Sequence, residues 1–293
     1  MSGPQTFFKH DEIVSYDFSE SPRLIRLKTD PIYYGVASKN DVSRWKKAQH
    51  SFINWTKDKK VFSDEYVRKI WGVFGHFFDQ RGNLRGNVLD IGGGWGLYRE
   101  WWECSGDNVF IVHDPGIERY LYGPHANHRK VYEKAFRLPM TFVEGFGERL
   151  PYGDFLFDAV LIVSTLDHCL DPRKVLSEAY RVLKPHAEIL VVHGMGGQGN
   201  GAPPSGHGAK RAIEKVSRLF FNPRKLLHLP SYLFSTLRHI LHRFTAVDHH
   251  IQVLSPDALV SLLRVSGFSR VEHEVISHPV FQSDRILIIQ ARK

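Results

Sequence analysis

Five short apolar runs punctuate the middle of the chain: Asn87–Ile91, Asn108–His113, Thr141–Val143, Phe157–Val163 and Glu188–His193. Each is too short for a buried helix. Between them lie stretches with helical spacing, notably Trp95–Cys104 and Pro172–Leu183. Such alternation predicts βαβ units, a parallel sheet, and right-handed crossovers that place helices on both faces. Val271–Ile276 and Arg285–Ile289 read as the last two strands. Before them, Ser255 caps a predicted helix with proline at its first position and Gly267 at its end.

Upstream, the periodicity is helical. Asp41 reads as an N-cap, followed by Val42, Trp45, Ala48, Phe52 and Trp55 at steps of three and four. Ser63–Phe78 fits a second helix. The aromatic density of these helices (Trp45, Phe52, Trp55, Trp71, Phe74, Phe77, Phe78) reads as helix-packing core. Residues 1–40, with Pro22, Pro31 and Tyr33-Tyr34-Gly35, read as an extended or turning lead-in. The chain therefore divides into a helical N-terminal cap over residues 1–84 and an α/β domain over 85–293.

That domain carries an insertion at about 195–250. Gly194–Gly208 holds seven glycines and two prolines, the composition of a flexible connector. Beyond it Leu233, Leu237, Ile240, Leu241 and Phe244 form one helical stripe flanked by Arg238, His239, His242 and Arg243. Charge sharpens the picture. The 293 residues carry a formal net charge of +8. Between Met195 and His250 eight basic residues, including Lys210, Arg211 and Arg218, face only Glu214 and Asp248, so this window holds +6 of the total. Three readings stay open. The segment is a lid with solvated charges, a recruiter of an anionic acceptor, or a basic amphipathic helix over 209–245 touching a membrane surface. Nucleic acid is the least favoured partner, because the charge is local and no RNA-binding signature is present. With 42 % apolar and 24 % charged residues the chain is globular. Two cysteines without ligand spacing exclude a disulfide framework and a cysteine-held metal. Neither a spanning run nor a secretory leader is legible, so a cytoplasmic protein is expected.

The chemistry concentrates in VLDIGGGWGLY, residues 88–98. A strand runs into glycines, and a helix is expected from about Trp95. A GxxxxGK[ST] phosphate loop fails for want of Gly-Lys. The GxGxxG dinucleotide fingerprint fails too, since its last glycine falls on Leu97 or Arg99. What remains is an acid inside the strand, Asp90, and spaced glycines, Gly92, Gly94 and Gly96.

This arrangement resembles the first motif of class I S-adenosylmethionine-dependent methyltransferases of the small-molecule type. The resemblance continues at Asp114-Pro115, 24 residues beyond Asp90, and through Gly145–Pro185. There stand an acidic-Leu-Pro turn, Phe-Asp before the fourth strand, Leu-Asp-His after it, an Asp-Pro helix start and Arg-Val-Leu-Lys-Pro. It covers roughly residues 85–195. It implies a Rossmann-like, mostly parallel sheet of seven strands, the last antiparallel, with S-adenosyl-L-methionine at the strand ends and S-adenosyl-L-homocysteine as product. It further implies that Asp114 takes the ribose hydroxyls and that Ser164 lines the pocket through its backbone. Phe146 stands where the family commonly has an aspartate for the adenine amino group. Phe146 then packs on the ring and leaves Gly147 N–H to read the base edge. His186-Ala187 replaces a usual Gly-Gly. No metal is required for transfer from a sulfonium. His168 is the first candidate base and His249 the second; a purely structural role for each remains open. The expected acceptor is a small molecule, anionic or sugar- or natural-product-related. The alternatives are a membrane-associated lipid methyltransferase and a non-catalytic scaffold on the same fold. Oligomeric state and the nucleophilic atom are open.

Overall fold

The computed structural model describes residues 13–17, 23–27, 37–57, 78, 84–103, 105–121, 135, 137–194, 254–277 and 285–293. The predicted helix over 63–78 (apart from Phe78), the basic insertion and His249 lie outside the described residues.

Nine strands form one sheet: β1 (Ile13–Asp17), β2 (Arg23–Leu27), β4 (Val88–Ile91), β6 (Phe110–His113), β7 (Thr141–Glu144), β8 (Phe157–Val163), β9 (Leu183–Gly194), β10 (Ser269–Ser277) and β11 (Arg285–Arg292). Their order is β1-β2-β7-β6-β4-β8-β9-β11-β10. Two short strands, β3 (Leu84–Arg85) and β5 (Trp102–Glu103), pair separately. From β7 to β10 the sheet has the seven strands expected, and β11 runs antiparallel to both neighbours. The other two are a correction to the lead-in. β1 and β2 pair antiparallel, and β2 joins β7 in parallel, so part of the N-terminal region belongs to the main sheet. Each is five residues long and broken by polar side chains, with Arg23 and Arg26 flanking Leu24 and Ile25 in β2, which hides them from a search for continuous apolar runs.

Alternation along the strands sorts the core onto two faces. Leu89, Ile91, Val160 and Ile162 pack beneath α3 (Pro172–Val182) and α4 (Pro256–Val265), which bury Val175, Leu176, Ala179, Leu259 and Leu263. Val88, Val112 and Leu161 face Phe78, Tyr98, Trp102, Ile117 and Leu121 on the other side, the last two from α2 (Ile117–Leu121). Helix starts follow their caps. Asp171 accepts from the backbone N–H of Arg173 and Lys174, and Ser255 from that of Ala258 at 3.2 Å. In α1 (Lys39–Lys57) the cap is one turn earlier than expected. Asp41 N–H donates to Ser38 Oγ at 3.2 Å and the Asp41 carboxylate faces back to Ser38, a reciprocal box with Ser38 as the cap.

The stretch after the glycine loop corrects the sequence reading more sharply. Trp95–Cys104 is not an α-helix. Leu97–Trp101 is one 3-10 stretch that passes into β5. Arg99 explains the break: its buried guanidinium donates to the carbonyls of Pro139 and Trp102 and lies 4.2 Å from the Trp102 ring, which holds the chain in an extended exit.

Candidate functional site

β4 is the point where the strand order reverses, with β6 on one side and β8 on the other. Loops leaving its carboxyl end and those of its neighbours diverge there and leave a crevice, the usual ligand position in open α/β sheets. β4 and the loops after β4, β6, β7 and β8 supply every candidate residue of the described part of the chain.

The loop after β4 is built on left-handed backbone. Gly92, Gly94 and Gly96 have φ of 71°, 54° and 72°, where side chains are strained. Gly96 also has no room: a Cβ there would lie 2.8 Å from Met140 Sδ and 2.9 Å from Val112 Cγ2. A Cβ on Gly94 would instead lie 3.6 Å from the Tyr120 ring, an ordinary contact, and Tyr120 meets Trp95 edge-on. Gly93, which the spacing argument passed over, is needed for another reason. A Cβ on it would fall 2.3 Å from the Asp90 carboxylate. Asp90 itself is wholly buried, and neither of its oxygens has a hydrogen-bond partner among the described residues. Burial, with the charge of Asp114 adding to it, raises its pKa to about 8.

Asp114 directly follows β6 and is held by backbone. One carboxylate oxygen accepts from Gly94 N–H at 3.3 Å and the other from Gly116 N–H at 2.6 Å. The residue thus braces the glycine loop of one strand from the end of the next. Pro115, half-buried, makes the turn between Asp114 and Gly116.

The loop after β7 is packed from both sides. Phe146 is buried, with its ring edge-on to Trp45 of α1 at 4.9 Å. Trp45 also donates its indole N–H to the carbonyl of His168 at 3.2 Å. One N-terminal side chain therefore ties the loops after β7 and β8 together, which corrects the reading of Trp45 as plain packing. Gly147 is buried, and a Cβ there would sit 2.8 Å from Ile91. Glu148, also buried, accepts from Leu170 N–H at 2.7 Å and Asp171 N–H at 3.2 Å. Arg181 of α3 binds the carbonyls of Leu150 and Tyr152 and the carboxylates of Glu178 and Asp154.

After β8, Ser164 has φ of 50° and donates its N–H to Val192 O at 2.8 Å. Thr165 reaches Gly92 O with its hydroxyl at 3.3 Å, and a Cβ on Gly92 would strike its side chain at 2.2 Å. His168 closes the short 3-10 turn Leu166–His168, with Nε2 3.9 Å from the carboxylate of its neighbour Asp167. Cys169 is buried and its thiol pKa is pushed well up by burial and surrounding acids, so it is no nucleophile. His113, wholly buried beneath these loops, contacts Tyr152 OH at 3.0 Å and Phe146 O at 3.3 Å. Its strand position concealed it in the sequence. Gly93 and Thr165 were missed because their roles depend on cross-strand neighbours.

Residues 89–191 match the model of the methyltransferase domain family. That segment contains the glycine loop, Asp114, Phe146 and His168 in the order the motifs require. Over those residues the chain is similar to a methyltransferase domain. Among curated proteins, the ubiquinone/menaquinone biosynthesis C-methyltransferase of Neisseria meningitidis is 26% identical over 164 residues, 55% of this chain and 64% of that protein. That of Marinomonas sp. is 31% identical over 129 residues, 43% of this chain and 49% of that protein. The chain thus spans less than two thirds of the length of these relatives. A solved SAM-dependent methyltransferase from Thermotoga maritima superposes with a TM-score of 0.49 at 16% identity, covering 85% of this chain and 99% of that one. Its counterpart from Aquifex aeolicus gives 0.45 at 17%, covering 83% and 97%. Likeness to this family implies adenosylmethionine as cofactor. No helix among the described residues is long and apolar enough to cross a membrane.

Proposed function

We propose that the chain transfers a methyl group from S-adenosylmethionine to a small-molecule acceptor and leaves S-adenosylhomocysteine. The supporting observation is the Asp114 carboxylate, held by the amides of Gly94 and Gly116 at the strand ends. A carboxylate is an acceptor of several hydrogen bonds and suits two vicinal ribose hydroxyls. The rest of the crevice fits the same molecule. Asp90 offers a buried acid whose oxygens lack partners among the described residues, suited to the cationic methionine end. Gly92, Gly94 and Gly96 let backbone approach the ligand closely. Gly147 N–H is the proposed reader of the base edge. Phe146 has no acceptor to offer and gives only an apolar wall, shared with Trp45. Ser164 takes part through its backbone, and Pro115 shapes the turn beside Asp114.

Adenosylmethionine, when bound, supplies a methyl group already activated by a positively charged sulfur. The chain contributes alignment and exclusion of water. His168 is the proposed proton acceptor where the nucleophile is protonated, with Asp167 beside it and Trp45 fixing its backbone. His249 is proposed as a second, from outside the described residues. A polar, sugar- or natural-product-related acceptor is the first reading, and the basic segment over 195–250 would draw an anionic one. The named relatives act on carbon in quinone biosynthesis, so aromatic carbon acids belong on the same acceptor panel.

Titration calorimetry tests the cofactor reading. Wild type is expected to bind S-adenosylhomocysteine at micromolar concentration. Asp114→Ala removes two hydroxyl acceptors and the loop brace, which should weaken binding about a hundredfold. No heat with wild type, or an unaltered Asp114→Ala titration, overturns it.

A further inference from the structure

His113 and Tyr152 are both wholly buried, and neither belongs to the machinery described above. They form a chain of three groups. Tyr152 OH meets His113 Nδ1 at 3.0 Å, and His113 Nε2 meets Phe146 O at 3.3 Å. The carbonyl of Phe146 can only accept, so Nε2 must carry the proton. Nδ1 is then bare and accepts from the Tyr152 hydroxyl. Burial supports the neutral ring, lowering its pKa to about 4, and lifts that of the Tyr152 phenol well above its ordinary value. The phenol is itself immobilised: its ring is edge-on to Phe157 at 5.2 Å and its carbonyl accepts from Arg181 at 2.8 Å.

The target of this relay matters. Phe146 O and Gly147 N–H belong to one trans peptide and point in opposite directions. Arg149 N–H also donates to that carbonyl, at 3.3 Å. Pinning the carbonyl toward His113 turns the Gly147 N–H the other way, away from His113. Where the base would otherwise meet a side-chain carboxylate, this chain has Phe146, so the backbone edge carries more of the recognition. We propose that His113, oriented by Tyr152, is a positioning residue that sets the Phe146–Gly147 peptide for reading the purine of the cofactor. The inference rests on the cofactor reading given above.

The test compares two ligands by calorimetry: S-adenosylhomocysteine, and S-ribosylhomocysteine, which keeps the ribose and amino acid but lacks the base. His113→Leu removes the donor at similar bulk. It should weaken S-adenosylhomocysteine about tenfold, the worth of one buried hydrogen bond, and leave S-ribosylhomocysteine within about twofold of wild type. His113→Gln, whose amide can still donate to the carbonyl, should recover most of the loss. Equal weakening of both ligands, or none of either, overturns the proposal. If wild type binds neither ligand, the cofactor reading fails first and takes this one with it. Should the variants not fold, nitrogen-15 NMR of the wild-type imidazole decides. The expected state is neutral with the proton on Nε2; a proton on Nδ1, or an imidazolium at pH 7, overturns the assignment.

Discussion

Asp90 and Glu148 are both carboxyl groups shut away from water, yet the regions around them are built on opposite plans. Glu148 sits in the loop after β7 and accepts from two backbone N–H groups at the start of α3. Arg181 binds the next two turns of that loop to α3 as well. Asp90 sits in β4, has no hydrogen-bond partner among the described residues, and lies against Gly93 in a loop whose Gly92, Gly94 and Gly96 are left-handed. Burial raises the pKa of both acids, but only Glu148 has backbone donors that pull it back. One half of the crevice is internally satisfied and acts as a frame. The other keeps an unmet polar demand, which in a native fold points to a ligand.

Truncating each acid should therefore give effects of opposite kind. Glu148→Leu leaves the N–H groups of Leu170 and Asp171 without an acceptor and should cost about 2–4 kcal/mol of stability. Asp90→Asn removes no hydrogen bond seen among the described residues. It should raise stability at pH 7, because the wild-type acid must be held protonated in the fold, while weakening S-adenosylhomocysteine about tenfold or more. Urea unfolding and calorimetry on both variants check the pair. Similar stability losses in both would erase the distinction between frame and site.

The glycines refine the contrast. Gly96→Ala combines positive φ with collision against Met140 and Val112 in the core, so about 2–3 kcal/mol of stability should go. Gly93→Ala has no such φ, and its Cβ would strike only the Asp90 carboxyl among its nearest neighbours. It should cost less in unfolding and more in ligand affinity. Equal unfolding midpoints for the two variants would sink this reading.

Much of this was legible in the sequence, for reasons the structure makes plain. The seven strands from β7 to β10 are buried on both faces or flanked by capped helices, so apolar runs and cap residues such as Asp171 and Ser255 marked them. The first two strands were not, because residues 1–40 show no apolar run and the pairing of β2 with β7 is a long-range matter. The Leu97–Trp101 turn misled because its apolar spacing is helical, whereas tertiary bonds from Arg99 end it. At the site, Asp90, Asp114 and the left-handed glycines were readable as types in order. His113 was not, because a histidine at the end of an apolar strand has no local pattern. Its partners Tyr152 and Phe146 are 39 and 33 residues away.

A pH series separates the two buried groups whose shifts oppose each other. Asp90 has an ordinary value of 3.8 and about 8 when folded, so between those limits the native state holds a proton that the unfolded chain has released. Stability must fall as pH rises through that window. His113 has an ordinary value of 6.5 and about 4 when folded, so the unfolded chain binds the extra proton and stability falls as pH drops from 6.5 toward 4. Between pH 4 and 6.5 the two slopes partly cancel. Above pH 6.5 only Asp90 of the pair acts. Comparing wild type with Asp90→Asn cancels the groups common to both. Their difference should be near zero close to pH 4 and grow steadily in favour of the variant up to pH 8. No single proton can contribute more than about 1.4 kcal/mol per pH unit. His113→Gln should show the reverse, gaining on wild type only below pH 6.5. Urea midpoints from pH 4.5 to 8 read both curves. Parallel lines for wild type and Asp90→Asn would mean that Asp90 is already charged and partnered in the folded protein, and the unmet acid at the centre of the comparison would not exist.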